Sequence, residues 1–272
     1  MQGLSYFVPT DIKIKYINLL IKVGFHTIDF GSFVSQKAIP QMADTEKVLS
    51  GLDLSGSKTK LLAIVANQRG VEQACHYQEI SYLGFPLSVS ETFQQRNTHS
   101  GIHEGFDLIK STLELCEATK KKLVVYLSMA FGNPYGDDYS DQMVADFAGK
   151  IAGLGCDIIS LADTVGLATE SQINQLGKKI ISLLPEIEIG MHLHVNSNQG
   201  KDKIAAAINS GCKRIDTSLG GFGGCPFAED ELTGNMPTDD LIKYFTSHNI
   251  NHDIILDALA EARQYLLQHV IQ

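Results

Sequence analysis

The 272-residue chain is 44% hydrophobic and 19% charged, with a formal net charge of −9. That balance supports a sizeable core and excludes a disordered chain. The acidic total excludes a general nucleic-acid binder, which needs a basic face, but leaves room for an anionic ligand held by local cations and helix N-termini.

The first predicted element is a helix over 9–24, with Ile12, Ile17, Leu20 and Ile21 near one face, Pro9 near its start and Gly24 at its end. Strands follow at 25–33, 60–65, 80–88 and 122–131. A helix over 140–155 opens on a Ser140 cap and ends at Gly155. Next come a strand over 156–164, a helix in "TESQINQL" capped by Thr169, and a strand over 188–195. A helix over 200–212, a strand over 213–221, and helices over 237–249 and 253–270 complete the chain.

Strand runs this apolar suit a parallel sheet covered on both faces. A repeated βα unit builds either a doubly wound sheet or a (β/α)8 barrel, and no Gly-x-Gly-x-x-Gly follows an early strand to favour the former. No linker or low-complexity tract divides the chain, so 1–272 reads as one domain. The expectation is therefore an α/β protein, a (β/α)8 TIM barrel with a C-terminal helix. Seven strands are predicted where a barrel has eight, and the missing first strand is expected before Met1.

Cys75, Cys116, Cys156, Cys212 and Cys225 are odd in number, widely spaced and without a Cys-x-x-Cys pair. That pattern predicts reduced thiols in a cytoplasm, not a disulfide framework or a zinc site. With no charged-then-apolar leader and no 18-residue apolar run, a soluble protein without a membrane span is expected.

In parallel α/β folds, chemistry collects at the C-terminal strand ends. In "MHLHV", His192 and His194 stand two apart and project to one side, where two imidazoles can bind a divalent metal or simply be satisfied histidines. In "SLADTVG", Asp163 and Thr164 follow a buried run, and the carboxylate can orient a ligand hydroxyl or cap a helix. In "TIDFGSF", Asp29 and Ser32 lie near a strand end, and an acid there serves structural pairing or catalysis. In "SLGGFGGCPFA" (218–228), four glycines permit positive φ before Cys225. This is a plain turn, an anion nest, or a loop carrying a thiol to a substrate.

Taken together, "SFVSQKAIPQM", "SVSETFQQRN", "SLADTVG", "MHLH" and the Gly223-Gly224-Cys225-Pro226-Phe227-Ala228 signature resemble the 3-hydroxy-3-methylglutaryl-CoA lyase family, within the metal-dependent lyase and Claisen-condensing TIM-barrel superfamily. The resemblance covers nearly the whole chain. It implies cleavage of a 3-hydroxy-3-methylglutaryl thioester to acetyl-CoA and acetoacetate with Mg²⁺ or Mn²⁺. It implies His192, His194 and Asn235 as metal ligands, with His192 also moving protons. Cys225 and Asp29 are implied as catalytic, Asp29 standing where the family has glutamate. Gln2, Ser32, Asp163, Thr164, Gly223 and Gly224 are implied at the substrate. It also implies a homo-oligomer, a dimer or larger, with the final helix as a candidate contact.

The sequence departs from the family pattern as well. The Arg and Asp expected just upstream of Gln2, an enolate-balancing cation and a metal ligand, are absent. Either Met1 is an internal methionine of a longer protein, or the chain is an inactive relative still holding CoA. Retention of the rest of the site favours the former. Val195 stands where the family has aspartate, Asn133 where relatives often carry cysteine, and one extra residue separates Cys225 from Asn235. A related 3-hydroxyacyl-CoA therefore remains open as substrate, and so does a condensing enzyme of the same superfamily. The Gly-Gly-Cys-Pro loop speaks for the lyase.

Overall fold

The computed structural model describes residues 1–195, 199–224 and 233–271. Its sheet holds seven strands in chain order: β1 (Thr27–Ser32), β2 (Lys60–Ile64), β3 (Ile80–Ser88), β4 (Lys122–Ser128), β5 (Ile158–Asp163), β6 (Glu188–Val195) and β7 (Arg214–Asp216). Each pairs parallel with the next. A two-residue strand, β8 (Gly234–Asn235), pairs antiparallel with the end of β6.

The face to which each side chain points alternates with the two-residue strand period. Leu61, Ala63, Val125 and Ile159 face the helical layer and join the main core, whereas Leu62, Val124 and Ile158 form a separate inner cluster with Ile64, Tyr82 and Tyr126. Side chains from β2, β3, β4 and β5 meet on that inner face because the sheet curls. Both faces are thus apolar, which is why the strands read as continuous hydrophobic runs. The curled sheet is a partial barrel: among the described residues, β7 and β1 are its two unpaired edges.

Among the described residues, ten helices wrap the outside: α1 (Thr10–Val23), α2 (Thr45–Ser50), α3 (Gln68–Cys75), α4 (Glu91–Thr98), α5 (Ile102–Thr119), α6 (Asp141–Gly153), α7 (Glu170–Leu183), α8 (Gly200–Asn209), α9 (Thr238–Ser247) and α10 (Leu256–Tyr265). Ser140 caps α6 by accepting from Met143 N–H, and Thr169 caps α7 within a capping box, both as expected. A second apolar cluster joins α1 to α10 and the turn after it, through Tyr16, Leu19 and Val23 against Leu259, Ala262 and Leu266.

Three expected elements change. The strand expected over 213–221 is only Arg214–Asp216, because Gly220 and Gly221 take φ of 74° and 71° and turn the chain into a 3-10 turn. The strand expected over 122–131 stops at Ser128, where Met129 adopts φ 58°. The helix expected over 253–270 begins only at Leu256 and finishes as a π turn over Leu266–Val270; just before it, Ile255 N–H is held by the Val23 carbonyl at 2.9 Å.

Candidate functional site

β6 carries the candidate site at its C-terminal end. His192 and His194 project to one side, their ring centroids 5.3 Å apart. His192 is partly open, at 34% side-chain exposure, whereas His194 is buried. Burial, reinforced by the charges of His192 and Lys203, pushes His194 down to about 3. It is therefore neutral at physiological pH, the form that ligates metals. The backbone of Thr164 hydrogen-bonds its ring.

β8 brings the third donor. Its antiparallel ladder sets Asn235 directly opposite His194. Asn235 Nδ2 donates to the Phe222 carbonyl at 3.1 Å, and its amide oxygen has no hydrogen-bond donor among the described residues.

Parallel register places Asp216 of β7 beside His192. His192 Nδ1 lies 3.3 Å from Asp216 Oδ2, the arrangement that fixes a ring's tautomer and leaves Nε2 for chemistry. Ser160 Oγ approaches the same carboxylate at 3.5 Å, and Arg214 Nε lies 3.7 Å from its other oxygen. Burial alone would weaken the Arg214 cation, but Asp216, Tyr126 and Glu188 outweigh it and hold it charged. Tyr126 packs edge-on against His192 at 5.6 Å, and burial followed by Asp216 and Asp29 pushes its phenol well up.

Asp29 lies on the same inner side. A β-bulge in β1 lets Asp29 pair with Leu62 and Gly31 with Ala63, so Phe30 is the extra residue. Phe30 joins the outer core, and a side chain at Gly31 would meet Thr45 of α2 at 2.8 Å. Two successive residues thus face the helices, and Ser32 returns to the side of Asp29. Desolvation raises the Asp29 carboxyl to about 7; Asp216 adds to this, while the Met1 ammonium and His192 oppose it. Asp29 is itself solvent-exposed on the strand. Ser32 Oγ is buried without a hydrogen-bond partner among the described residues.

The remaining candidates are placed less directly. Asp163 is buried and committed to Lys203 Nζ at 2.8 Å and to Ala168 N–H, so its carboxylate points into the protein. Thr164 Oγ1 accepts from Met129 N–H at 3.1 Å. Gln2 is exposed in the turn ahead of α1. Gly223 takes φ 105° and Gly224 is buried beside Gly3. Cys225 lies outside the described residues.

Two imidazoles and an amide oxygen, with Asp29 and Asp216 on the same inner side, are donor types that a divalent cation accepts, although among the described residues no three His, Cys, Asp or Glu side chains form a metal-binding group. The sequence model described as HMGL-like matches residues 1–266. The chain belongs to the HMGL-like family. Rat mitochondrial hydroxymethylglutaryl-CoA lyase is 32% identical over 271 residues, spanning 98% of this chain and 82% of the rat one. Rat cytoplasmic 3-hydroxy-3-methylglutaryl-CoA lyase is 30% identical over 273 residues, 99% of this chain and 78% of that one. A solved HMG-CoA lyase from Acinetobacter baumannii, in complex with coenzyme A and 3-methylmalate, superposes with a TM-score of 0.90 at 31% identity, covering 97% of this chain and 86% of that one.

In this HMGL-like chain, sequence reasoning missed Asp216, Arg214, Tyr126 and Lys203. Arg214 and Asp216 carried a readable signal: two charges spaced two apart in a short strand face one side together. Lys203 carried another, a cation on the apolar face of α8 beside Ile204 and Ala207.

Proposed function

We propose that this HMGL-like protein is a carbon–carbon lyase cleaving 3-hydroxy-3-methylglutaryl-CoA, or a close 3-hydroxyacyl-CoA, to acetyl-CoA and acetoacetate. The observation that carries the reading is the convergence of His192, His194 and Asn235 at one strand end, in a chain alike to HMG-CoA lyases over nearly its whole length. The Gly-Gly-Cys-Pro sequence at 223–226 supports cleavage over condensation. The 3-methylmalate and coenzyme A bound by the Acinetobacter lyase support an acyl-CoA substrate bearing a hydroxyl.

His192, His194 and Asn235 would hold Mg²⁺ or Mn²⁺, which when bound supplies Lewis acidity to the substrate hydroxyl. The side chains do the rest. His192, oriented by Asp216 through Nδ1, keeps Nε2 for the metal, so the hydroxyl proton passes to Asp29. The oxygen electron pair forms the ketone of acetoacetate, and the pair of the breaking carbon–carbon bond passes to the acetyl-CoA enolate. Cys225 returns a proton to that carbon. Asp29, raised to about 7, exchanges protons near neutrality beside His192. Ser32 offers its unpartnered hydroxyl to the substrate, and Gly223 and Gly224 let the backbone approach it. Asp163 and Thr164 act from behind, through the backbone that holds His194. We place the protein in the cytoplasm as a homodimer joined through its final helix, whose Leu256 and Leu267 are exposed.

The test is acetoacetate release from 3-hydroxy-3-methylglutaryl-CoA with Mn²⁺, followed by a coupled dehydrogenase. Release that stops with EDTA is expected, and it should fall strongly in Cys225→Ala while Mn²⁺ binding is kept. No metal-dependent acetoacetate from folded protein would overturn the assignment.

A further inference from the structure

A buried cation stands directly behind the His194 strand end. Lys203, on α8, is only 3% exposed, and its ammonium has three donors. All three are used: Asp163 Oδ2 at 2.8 Å, the His194 carbonyl at 2.9 Å and the Gly166 carbonyl at 3.2 Å. Asp163 also accepts from Ala168 N–H, at 3.2 Å from each carboxylate oxygen, and from the Leu167 backbone. The intervening Thr164 is tied twice, its hydroxyl accepting from Met129 N–H and its backbone bonding the His194 ring. The turn after β5 and the end of β6 are therefore one unit, and Lys203 is the cation at its centre.

Removing two charges from water is costly, and a well-packed apolar pair of the same volume is often as stable. What an apolar pair cannot do is hold two carbonyls and a carboxylate at fixed directions. A ligating histidine depends on such outer contacts for its orientation, and their loss costs metal affinity. We propose that Lys203 is a positioning residue that fixes the His194 imidazole for metal binding, with Asp163 as its counter-charge. This rests on the metal site of the proposed function.

The experiment is a Mn²⁺ titration of the whole chain, with free ion counted by electron paramagnetic resonance and thermal unfolding measured in parallel. Lys203→Met should weaken Mn²⁺ binding about tenfold or more, and it strands the Asp163 carboxylate, so its melting temperature should fall. The double variant Lys203→Met/Asp163→Asn removes the stranded charge; it should regain melting temperature without regaining affinity. Lys121→Met supplies the control. Lys121 is another buried lysine, and it holds the Tyr77 and Ile80 carbonyls at the opposite, N-terminal end of the strands. It should lower the melting temperature and leave Mn²⁺ affinity unchanged. Wild-type affinity in Lys203→Met, or affinity that recovers together with stability in the double variant, overturns the proposal. His194→Ala separates the two levels: if it leaves Mn²⁺ affinity intact, the metal site itself is wrong and Lys203 has nothing to position.

Discussion

Gly70 separates intrinsic helix preference from close packing in a single substitution. It is the third residue of α3, and its N–H is capped by Asn67 Oδ1 at 2.9 Å. A Cβ at this position would lie 2.2 Å from the Phe33 carbonyl oxygen, itself part of the chain leaving β1. An ordinary carbon–oxygen contact is about 3.3 Å, so the overlap exceeds an ångström. Both sides of it are main chain, and Phe33 N–H is also held by the Ile64 carbonyl at 2.8 Å, so neither gives way cheaply. The clash belongs at the upper end of overpacking, about 3 kcal/mol. Alanine returns about 1 kcal/mol of helix preference, leaving Gly70→Ala about 2 kcal/mol less stable. Gly149, inside α6, has open space where its Cβ would go, so Gly149→Ala keeps the gain unopposed. The two variants should straddle the wild type by about 3 kcal/mol in urea unfolding. Because β1 leads into Phe33 through Ser32, Gly70→Ala should also raise KM for the acyl-CoA. Equal stabilities for the two variants would refute the packing account.

Three further outcomes are expected. A carboxyl raised to about 7 in the fold favours folding while protonated, so the contribution of Asp29 is full below about pH 4 and is lost as pH rises through 7. In EDTA, Asp29→Asn should therefore gain stability on the wild type between pH 5 and pH 8, and parallel urea midpoints across that range would contradict this. Burial lifts the Cys116 and Cys212 thiols to about 12 and Cys156 to about 11, so none should be alkylated at pH 8 until the chain unfolds; mass spectrometry showing any of the three labelled in the native protein would count against their burial. Asp216→Ala should lower kcat at least tenfold with little change in KM, because it frees the His192 ring, and an unchanged kcat would remove Asp216 from the site.

Much of this architecture can be read from local patterns, and its failures are equally local. The strands are legible because the curled sheet buries both faces, so Leu61 and Leu62 are apolar for different reasons yet look alike. α4, with the sequence "ETFQQRNT", buries only Phe93 and Gln94, and a helix that polar leaves no periodic trace. His192 and His194 are found because their relation is two residues along one strand. Asp216 is not, because its relation to His192 is register between strands, set by the whole sheet. Asp163 shows the same limit. As a carboxylate at a strand end it invites a ligand, but its partner Lys203 sits 40 residues away in sequence. The bulge at Phe30, which sets the side that Ser32 faces, has no local signature.

The short β8 ladder has a consequence for how such a site can change over generations. Ser218 N–H is tied to the Met236 carbonyl, Met236 N–H to the Leu193 carbonyl, and Asn235 to Phe222. The stretch between Phe222 and Asn235 therefore starts and finishes at a sealed neck. The neck itself is intolerant: a side chain at Gly223 would meet Asn235 Nδ2 at 2.6 Å, so Gly223 and Asn235 can change only together. On the proposed reading, the position of Asn235 is thus inherited together with the neck residues that fix it.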